Sequence, residues 1–298
     1  MDDNLGSVAA TMIRVQARRD LDPTARTARD GIVAAAQMRD GVAPLSEAAL
    51  LALGDANSHL LAWAGSAIVG YGFVPAAGGA AEIVAAPWAR GIGVGRELVC
   101  AAMRSGATGV WAHGDLAPAR ALARWAGAQV ARDLWVLSRP LAGLPAEAPA
   151  LPAGLTVTAY RGTTDDADLL RVNAAAFADL PDQASWTHAD LEARMAADWF
   201  DPAGLFLART TSGEVVGFHW TKWRRPDEGE IYVLACDPAW QGRGLGRALI
   251  DIGLRHLAAC GLGTVVLYVD GSNTVARAAY AKTGFRPRSQ DVLYTLDS

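Results

Sequence analysis

The sequence contains little lysine, few cysteines and no long apolar run. Of its 27 basic residues only Lys222 and Lys282 are lysines, and the rest are arginines. Its three cysteines, Cys100, Cys236 and Cys260, are too few and too scattered for a disulfide framework or a zinc site, so no metal is expected. Without a run of about 18 apolar residues, no transmembrane helix is expected either. The acidic N-terminus lacks a signal-peptide pattern, which favours a cytoplasmic location.

A basic surface is lacking as well. The 298 residues carry a formal net charge of −4, whereas a protein that binds a nucleic-acid backbone needs a basic face. Hydrophobic residues make up 51% of the chain and charged residues 19%. This composition excludes disorder and allows a full core. At roughly 100–200 residues per domain, the length predicts two domains.

A proline-rich segment divides the chain into two halves that repeat one pattern. Residues 139–154 hold four of the fourteen prolines and show no apolar period, which is typical of a linker. Pro87 and Pro238 are 151 positions apart, and so are Gly93 and Gly244. The chain is therefore predicted to be a tandem duplication, with an N-terminal domain at 1–140, a linker at 141–152 and a C-terminal domain at 153–298.

Strands alternate with helices in both halves. In the second half the pattern predicts strands at 205–209, 215–223, 230–236, 264–269 and 292–296, and helices at 165–178, 187–198, 246–259 and 274–282. Thr187 is expected to cap its helix, with Asp190 three residues later. We therefore predict an α/β fold of two tandem domains, each with a mixed twisted sheet flanked by helices.

Each half has a glycine-rich loop between a strand and a helix. The loops are QGRGLG at 241–246 and RGIGVG at 90–95. Backbone N–H groups at such a turn and the dipole of the helix create a site for a pyrophosphate. The rival dinucleotide fingerprint, G-x-G-x-x-G followed by an acid, is a poor match, and the P-loop pattern is missing. Two copies in register favour phosphate binding over a turn that merely caps a helix.

The C-terminal loop and a later segment resemble the acetyl-CoA motifs of the GNAT superfamily of N-acetyltransferases. Q-x-x-G-x-G opens a helix after a strand, and Asn273, Tyr280, Gly284 and Phe285 form the pattern N-x(6)-Y-x-x-x-G-F. Over nearly the whole chain the sequence is similar to the mycothiol synthases, a tandem family within this superfamily. The resemblance is carried by GFHWTK, GEIYVLACDP, LLRVNAAAFADLPDQ, WFDPAGL, DGVAPLSE and WAHGDLAPARALA.

Two residues of the second half match catalytic positions of the superfamily. The attacking amine must be neutral, yet an α-amine with a pKa near 7.7–8.0 is mostly protonated at pH 7. The resemblance implies that Glu230 takes this proton as general base and that Tyr280 protonates the departing CoA thiolate. From the residues alone, a solvated acid and a packed ring are the alternatives. When the halves are aligned, Gly79 and Ala123 stand at these positions, so the first half is predicted to be catalytically silent.

The resemblance also implies which residues hold the two substrates. For acetyl-CoA they are Leu234, Ala235, Cys236, Gln241, Gly242, Arg243, Gly244, Leu245, Gly246, Arg247, Asn273, Thr274, Val275, Ala276, Arg277 and Ala278 in the second half, and Ile83, Val84, Ala85, Gly91, Ile92, Gly93, Val94, Gly95 and Arg96 in the first. For the acceptor they are Glu47, Asp182, Lys222, Glu230 and Tyr268. Asp182 replaces the family's glutamate and is one methylene shorter. Cys236 is expected to be a small buried side chain, because no histidine is paired with it in sequence.

These residues imply transfer of acetyl from acetyl-CoA to the cysteinyl amine of cysteinyl-glucosaminyl-inositol, giving mycothiol and CoA. Acetyl-CoA is the expected co-substrate and this thiol-sugar the expected partner; a monomer without nucleic-acid or membrane partners is expected. Two alternatives remain. One is a tandem GNAT enzyme that acetylates an aminoglycoside or a peptide N-terminus, and the other is a CoA-binding module without catalysis. Retention of Glu230 and Tyr280 argues against the second.

Overall fold

The computed structural model describes residues 12–46, 49–50, 57–76, 78–147, 150–178 and 181–295. The strands are β1 (Ile13–Arg18), β2 (Ser58–Ala64), β3 (Ala67–Val74), β4 (Gly79–Ala85), β5 (Ala107–Ala112), β6 (Gln129–Pro140), β7 (Leu155–Ala159), β8 (Leu205–Thr210), β9 (Val215–Arg225), β10 (Glu228–Cys236), β11 (Thr264–Asp270) and β12 (Arg286–Thr295). The helices are α1 (Pro23–Asp40), α2 (Val94–Arg104), α3 (Ala117–Ala126), α4 (Asp166–Ala176), α5 (Pro181–Ala184), α6 (His188–Met195), α7 (Leu245–Ala259) and α8 (Thr274–Lys282). The predicted alternation of strands and helices in a mixed α/β fold is confirmed. None of the described helices is long and apolar enough to cross a membrane.

Contacts divide the chain into two units. The second unit is Trp135–Arg288, and the first contains the residues before it together with those from Ser289 onward. The first unit therefore includes most of β12, and the second includes the last part of β6. This division differs from a single cut at the proline-rich segment. The end of β6 belongs to the second unit although it precedes that segment, and most of β12 belongs to the first unit although it follows it.

Each unit contains a mixed sheet with one parallel pair next to antiparallel strands. In the first unit the strand order is β1-β2-β3-β4-β5-β12, and β4 pairs with β5 in parallel. In the second unit the order is β6-β11-β10-β9-β8-β7, and β10 pairs with β11 in parallel. A parallel pair requires a crossover between its strands. Helices α2 and α7 supply these crossovers, and each follows directly after a glycine-rich loop.

Local sequence signals explain where the helices begin. The side chain of Asp22 accepts a hydrogen bond from the backbone N–H of Ala25, and Pro23 occupies the first turn of α1. At α6, Thr187 and Asp190 form the predicted capping box, in which each side chain accepts the backbone N–H of the other. Helices α2 and α7 instead begin after a glycine, and no side chain caps them.

His219 explains a glycine in the middle of α7. The ring is fully buried, and its Nδ1 donates a hydrogen bond of 2.7 Å to the carbonyl of Leu249. A Cβ atom at Gly253 would lie only 2.0 Å from this ring, so a larger residue there would collide with it. Burial lowers the pKa of His219 from its usual value of 6.5 to about 4. The imidazole is therefore neutral in the folded protein at pH 7.

Because His219 has a lowered pKa in the folded protein, we predict that the free energy of unfolding falls in acid. The unfolded chain takes up this proton near pH 6.5, whereas the folded protein takes it up only near pH 4. The contribution of His219 is present above pH 6.5 and falls by about 1.4 kcal/mol per pH unit, or about 3 kcal/mol in all, as pH drops to 4. Urea unfolding of His219→Asn, which keeps a donor but does not titrate, should therefore depend less on pH between 6.5 and 4. Equal pH slopes for the two proteins would contradict this assignment.

Candidate functional site

Strands β10 and β11 separate before either of them ends. Their parallel pairing runs from Glu228 opposite Thr264 to Ile231 opposite Leu267. Beyond these residues β10 continues to Cys236 and β11 to Asp270, with no further pairing between them in the described part of the chain. A strand edge without a partner offers its N–H and C=O groups to an extended ligand. This opening therefore suits a chain-like molecule that carries amide groups.

The glycine-rich loop lies just beyond the end of β10. Gly242 and Gly244 have φ angles of 73° and 88°, values that residues with a side chain rarely adopt. A Cβ atom at either position would meet nothing within 4 Å, so the space above the loop is open. Because no side chain caps α7, its first N–H groups are available to an anion such as a pyrophosphate.

Three predicted acceptor residues meet on one face of the sheet. Glu230 lies directly opposite Lys222 on β9 and opposite Val266 on β11. Tyr268 is two residues beyond Val266, so its side chain points to the same face as Glu230. Glu230 is 9% exposed and Tyr268 is 37% exposed. The pairing thus places the buried Glu230 carboxylate beside the more accessible Lys222 and Tyr268, next to the opening between β10 and β11.

Lys222 lies against aromatic rings. Its Nζ is 4.5 Å from the ring centre of Trp199 and 5.4 Å from that of Tyr232. Tyr232 is the extra residue of a β-bulge, since Ile231 pairs with Thr221 and the next pair is Val233 with Trp220. These cation–π contacts hold the Lys222 ammonium group on the same face of the sheet as Glu230. Lys222 is therefore packed against aromatic rings and is not simply a solvated charge.

Tyr280 on α8 is buried, and Cys236 at the end of β10 is half-buried. Burial raises the pKa of the Tyr280 hydroxyl well above its usual range, with a smaller contribution from Cys236. The hydroxyl thus keeps its proton at neutral pH. Burial also raises the pKa of the Cys236 thiol to about 12. Because only a thiolate is a strong nucleophile, a covalent mechanism through Cys236 is disfavoured.

Other predicted acetyl-CoA residues have local structural contacts. The Asn273 side chain accepts a 2.9 Å hydrogen bond from the N–H of Ala276 and so caps α8. The Gln241 side chain donates to the carbonyl of Cys236 at 3.4 Å. The Arg277 guanidinium lies 4.6 Å from the ring centre of Trp135 and donates to the carbonyl of Gly271. These contacts hold the loop and the start of α8 in place.

The first unit has the same opening and a cavity of about 800 Å³ beside it. Pairing of β4 with β5 ends at Glu82 opposite Trp111, although β4 continues to Ala85. Gly93 has a φ of 102° and precedes α2 as Gly244 precedes α7. All nine residues predicted to hold acetyl-CoA in this half line the cavity, namely Ile83, Val84, Ala85, Gly91, Ile92, Gly93, Val94, Gly95 and Arg96.

A buried ion cluster lies beside this cavity. The His113 ring contacts Glu82 at 3.1 Å and Asp291 on β12 at 3.2 Å. Both carboxylate oxygens of Glu82 also accept hydrogen bonds from Ser46, one from its N–H and one from its hydroxyl. Burial alone would lower the pKa of His113, but its bonds to Asp291 and Glu82 raise it to about 9. Glu82 is thus a fully engaged carboxylate and is poorly suited to take a proton from a substrate.

Sequence reasoning did not single out this cluster or Arg224, which contacts two acids and Tyr268 in the second unit. The sequence does carry a signal for each. Glu82 is a charged residue inside an apolar strand, and Arg224 is a second cation two residues after Lys222. Glu47 lies outside the described residues, and Asp182 lies in α5 with its side chain outside the described part of the structure.

Solved structures share this architecture. A GCN5-related N-acetyltransferase from Sphaerobacter thermophilus superposes with a TM-score of 0.73 at 24% identity and covers 94% of each chain. A tandem GNAT protein from the clavulanic acid biosynthesis pathway gives a TM-score of 0.72 at 16% identity, over 95% of this chain and 98% of that one. At these identities the likeness concerns the fold, and it confirms the prediction of tandem GNAT domains.

Sequence relatives give the family. The profile of the acetyltransferase (GNAT) family matches residues 172–285. A mycothiol acetyltransferase from Nocardia farcinica is 46% identical over 295 residues, which is 95% of this chain and 97% of that protein. A mycothiol acetyltransferase from Thermomonospora curvata is 48% identical over 87% of this chain and 90% of its own length. With this identity over nearly its full length, the chain belongs to the mycothiol acetyltransferase family of GNAT enzymes.

Proposed function

We propose that this acetyltransferase moves the acetyl group of acetyl-CoA to the cysteinyl amine of cysteinyl-glucosaminyl-inositol, giving mycothiol and CoA. One observation carries the proposal: Glu230, Lys222 and Tyr268 share one face beside the opening between β10 and β11. A carboxylate at this place can receive the proton of an amine that attacks a thioester held in the opening. The names of relatives at 45–48% identity support the same acceptor.

In the proposed reaction Glu230 removes one proton from the ammonium group of the acceptor. The neutral amine then attacks the thioester carbonyl, so that a C–N bond forms and the C–S bond breaks. Backbone N–H groups of Leu234 and Cys236, which alternate with those directed at β9 and have no β11 partner in the described chain, can stabilise the oxyanion. Tyr280 gives its proton to the departing thiolate, the proton that the nitrogen loses as the amide forms restores the Tyr280 hydroxyl, and the proton taken by Glu230 passes to solvent. The high pKa that burial imposes on Tyr280 suits a group that must arrive protonated.

The second unit provides a cradle for acetyl-CoA in this proposal. The edge of β10 would pair with the pantetheine amides, and the loop at Gly242 and Gly244 would hold the pyrophosphate at the start of α7. Open space at both glycines and the uncapped helix support this fit. Asn273 and Arg277 would flank the arm of the same ligand. Lys222 and Tyr268, with Asp182 and Glu47, would contact the sugar and inositol of the acceptor.

The first half is proposed to bind acetyl-CoA without transferring its acetyl group. Its cavity and glycine-rich loop support binding. Gly79 and Ala123 stand where the base and acid are proposed in the second half, and neither side chain can move a proton. The acid nearest the cavity, Glu82, is held by Ser46 and His113. We further infer that the enzyme acts in the cytoplasm and as a monomer.

The test is to incubate the purified protein with acetyl-CoA and cysteinyl-glucosaminyl-inositol. Free CoA and acetylated product, separated by chromatography, should appear in equal amounts. Glucosaminyl-inositol without the cysteinyl group is the matched control, and it should yield no product. Release of CoA with an aminoglycoside or a peptide N-terminus, but not with the cysteinyl compound, would favour the alternative tandem GNAT enzyme. No release with any amine would favour a CoA-binding module.

A further inference from the structure

We propose that Arg224 is a positioning residue for this reaction, which keeps the Glu230 carboxylate ionised and holds it beside Tyr268. The proposal rests on the proposed function, since it takes Glu230 as the general base. It adds a residue that no motif pointed to, and it assigns that residue a role separate from substrate binding.

The backbone turns Arg224 toward the site. Glu228 pairs with Arg225, and the next residue along, Gly229, pairs with Trp223. Arg224 is therefore the extra residue of a β-bulge at the end of β9. A bulge re-aims the side chain of its extra residue and is often found beside active sites. Here the bulge directs a cation toward the face that carries Glu230.

One guanidinium reaches three partners. Its Nη2 donates a 2.6 Å hydrogen bond to the Tyr268 hydroxyl, and its Nη1 donates to Glu228 at 3.3 Å. Its Nε lies 3.8 Å from the nearer carboxylate oxygen of Glu230. The guanidinium carbon also lies 5.4 Å from the centre of the Tyr268 ring, within cation–π distance. A planar group with five donors can make these contacts together, whereas an ammonium cannot.

Charged and titratable groups lie around Glu230 and its neighbour Glu228. Lys222, Arg224 and Arg225 come from β9, Tyr268 from β11, Glu228 and Tyr232 from β10 itself, and Arg288, which forms an ion pair with Glu228, from β12. Arg224, Arg225 and Arg288 all contact Glu228, and Arg224 also lies 3.8 Å from Glu230. Loss of Arg224 would remove this neighbouring positive charge from Glu230 and so favour the protonated carboxyl.

The test compares Arg224→Met with Arg225→Met in the full-length enzyme. Arg225 is adjacent, carries the same charge and lies 3.9 Å from Glu228, so it controls for a general loss of positive charge. The dependence of kcat on pH reports the base in the ternary complex. In Arg224→Met the acid limb of kcat should move up by about one pH unit, because an opposite charge within about 4–6 Å has effects of this size. Turnover on that limb falls about tenfold and recovers at high pH. Arg225→Met should leave the limb in place.

Two further variants make the outcome decisive. Arg224→Lys keeps the charge but not the fork, so its acid limb should move less than that of Arg224→Met. In a Glu230→Gln background, Arg224→Met should cause no further loss of kcat, because it acts through that carboxylate. A loss that is equal at every pH, or an acid limb identical to that of Arg225→Met, would overturn the proposal. Full turnover of Glu230→Gln would instead reject the base assignment, which is the failure of the proposed function itself.

Discussion

Replacing Glu230 with glutamine is expected to slow turnover by about 10²–10⁴-fold at pH 7, which is the usual contribution of a positioned general base. Glutamine has nearly the same shape and can stay on the same face of β10, but it cannot accept the proton. The acceptor amine then remains largely protonated, since an α-amine has a pKa near 7.7–8.0. The rate of CoA release under saturating substrates measures this loss.

The loss should shrink at high pH. At pH 9 most of the amine is already neutral, so the base contributes less and Glu230→Gln should recover part of its rate relative to the unmodified enzyme. Asp227→Asn is the matched control, because Asp227 is an exposed acid in the same short cluster. Its side chain accepts the N–H of Gly263 at 2.8 Å, and asparagine can do the same. Equal rate losses at pH 7 and pH 9 would count against Glu230 as base.

Replacing Gly244 with valine is expected to abolish detectable turnover. The φ of 88° at this position is strained for any side chain and most for a β-branched one. The new side chain would also project into the open space above the loop, where the pyrophosphate is proposed to approach the start of α7. The acetyl-CoA site of the second half should therefore be lost together with the rate, while the proposed site of the first half stays. Isothermal titration with CoA and steady-state assays measure the two effects separately.

Gly93→Val is a closely matched control within the same chain. Gly93 has a φ of 102°, precedes α2, and likewise has nothing within 4 Å of an added Cβ. The backbone strain is therefore similar in the two variants, but Gly93→Val should keep most of the turnover because no base or acid is proposed beside its loop. Circular dichroism must show that both variants fold. A folded Gly93→Val protein without activity would refute the asymmetry between the halves.

The sequence predicted much of the fold because its signals are local. The Thr187–Asp190 capping box and the glycines before α2 and α7 each depend on neighbouring residues, and the structure contains all of them. The 151-residue offset predicted the tandem organisation. Local signals could not predict the strand segments that pack with the other half's unit. Nothing in the pattern of β12 distinguishes the sheet it joins, since pairing depends on distant partners.

The candidate site likewise combines residues that the sequence predicts with an arrangement that only the fold decides. Glu230, Lys222 and Tyr268 could be named from motifs, but that they share one face follows only from the register of β9, β10 and β11. The early end of the β10–β11 pairing and the bulge at Arg224 also depend on how the strands pair, and no local sequence signal predicts them. Glu82 gained its partners Ser46 and His113 from positions 36 and 31 residues away, and His113 in turn contacts Asp291 on β12.

The sequence by itself determined the scarcity of lysine, the duplication, the glycine loops and the residue types that can move protons. These are properties of composition and spacing, which the chain carries whether or not it is folded. Only the tertiary structure decided which charges neutralise one another. Ion pairs such as Arg224 with Glu228 and Glu230, or His113 with Glu82 and Asp291, depend on distances of 3–4 Å between separate segments of the chain. Electrostatic energy falls with distance and rises with burial, so these pairs exist only once the sheets have formed.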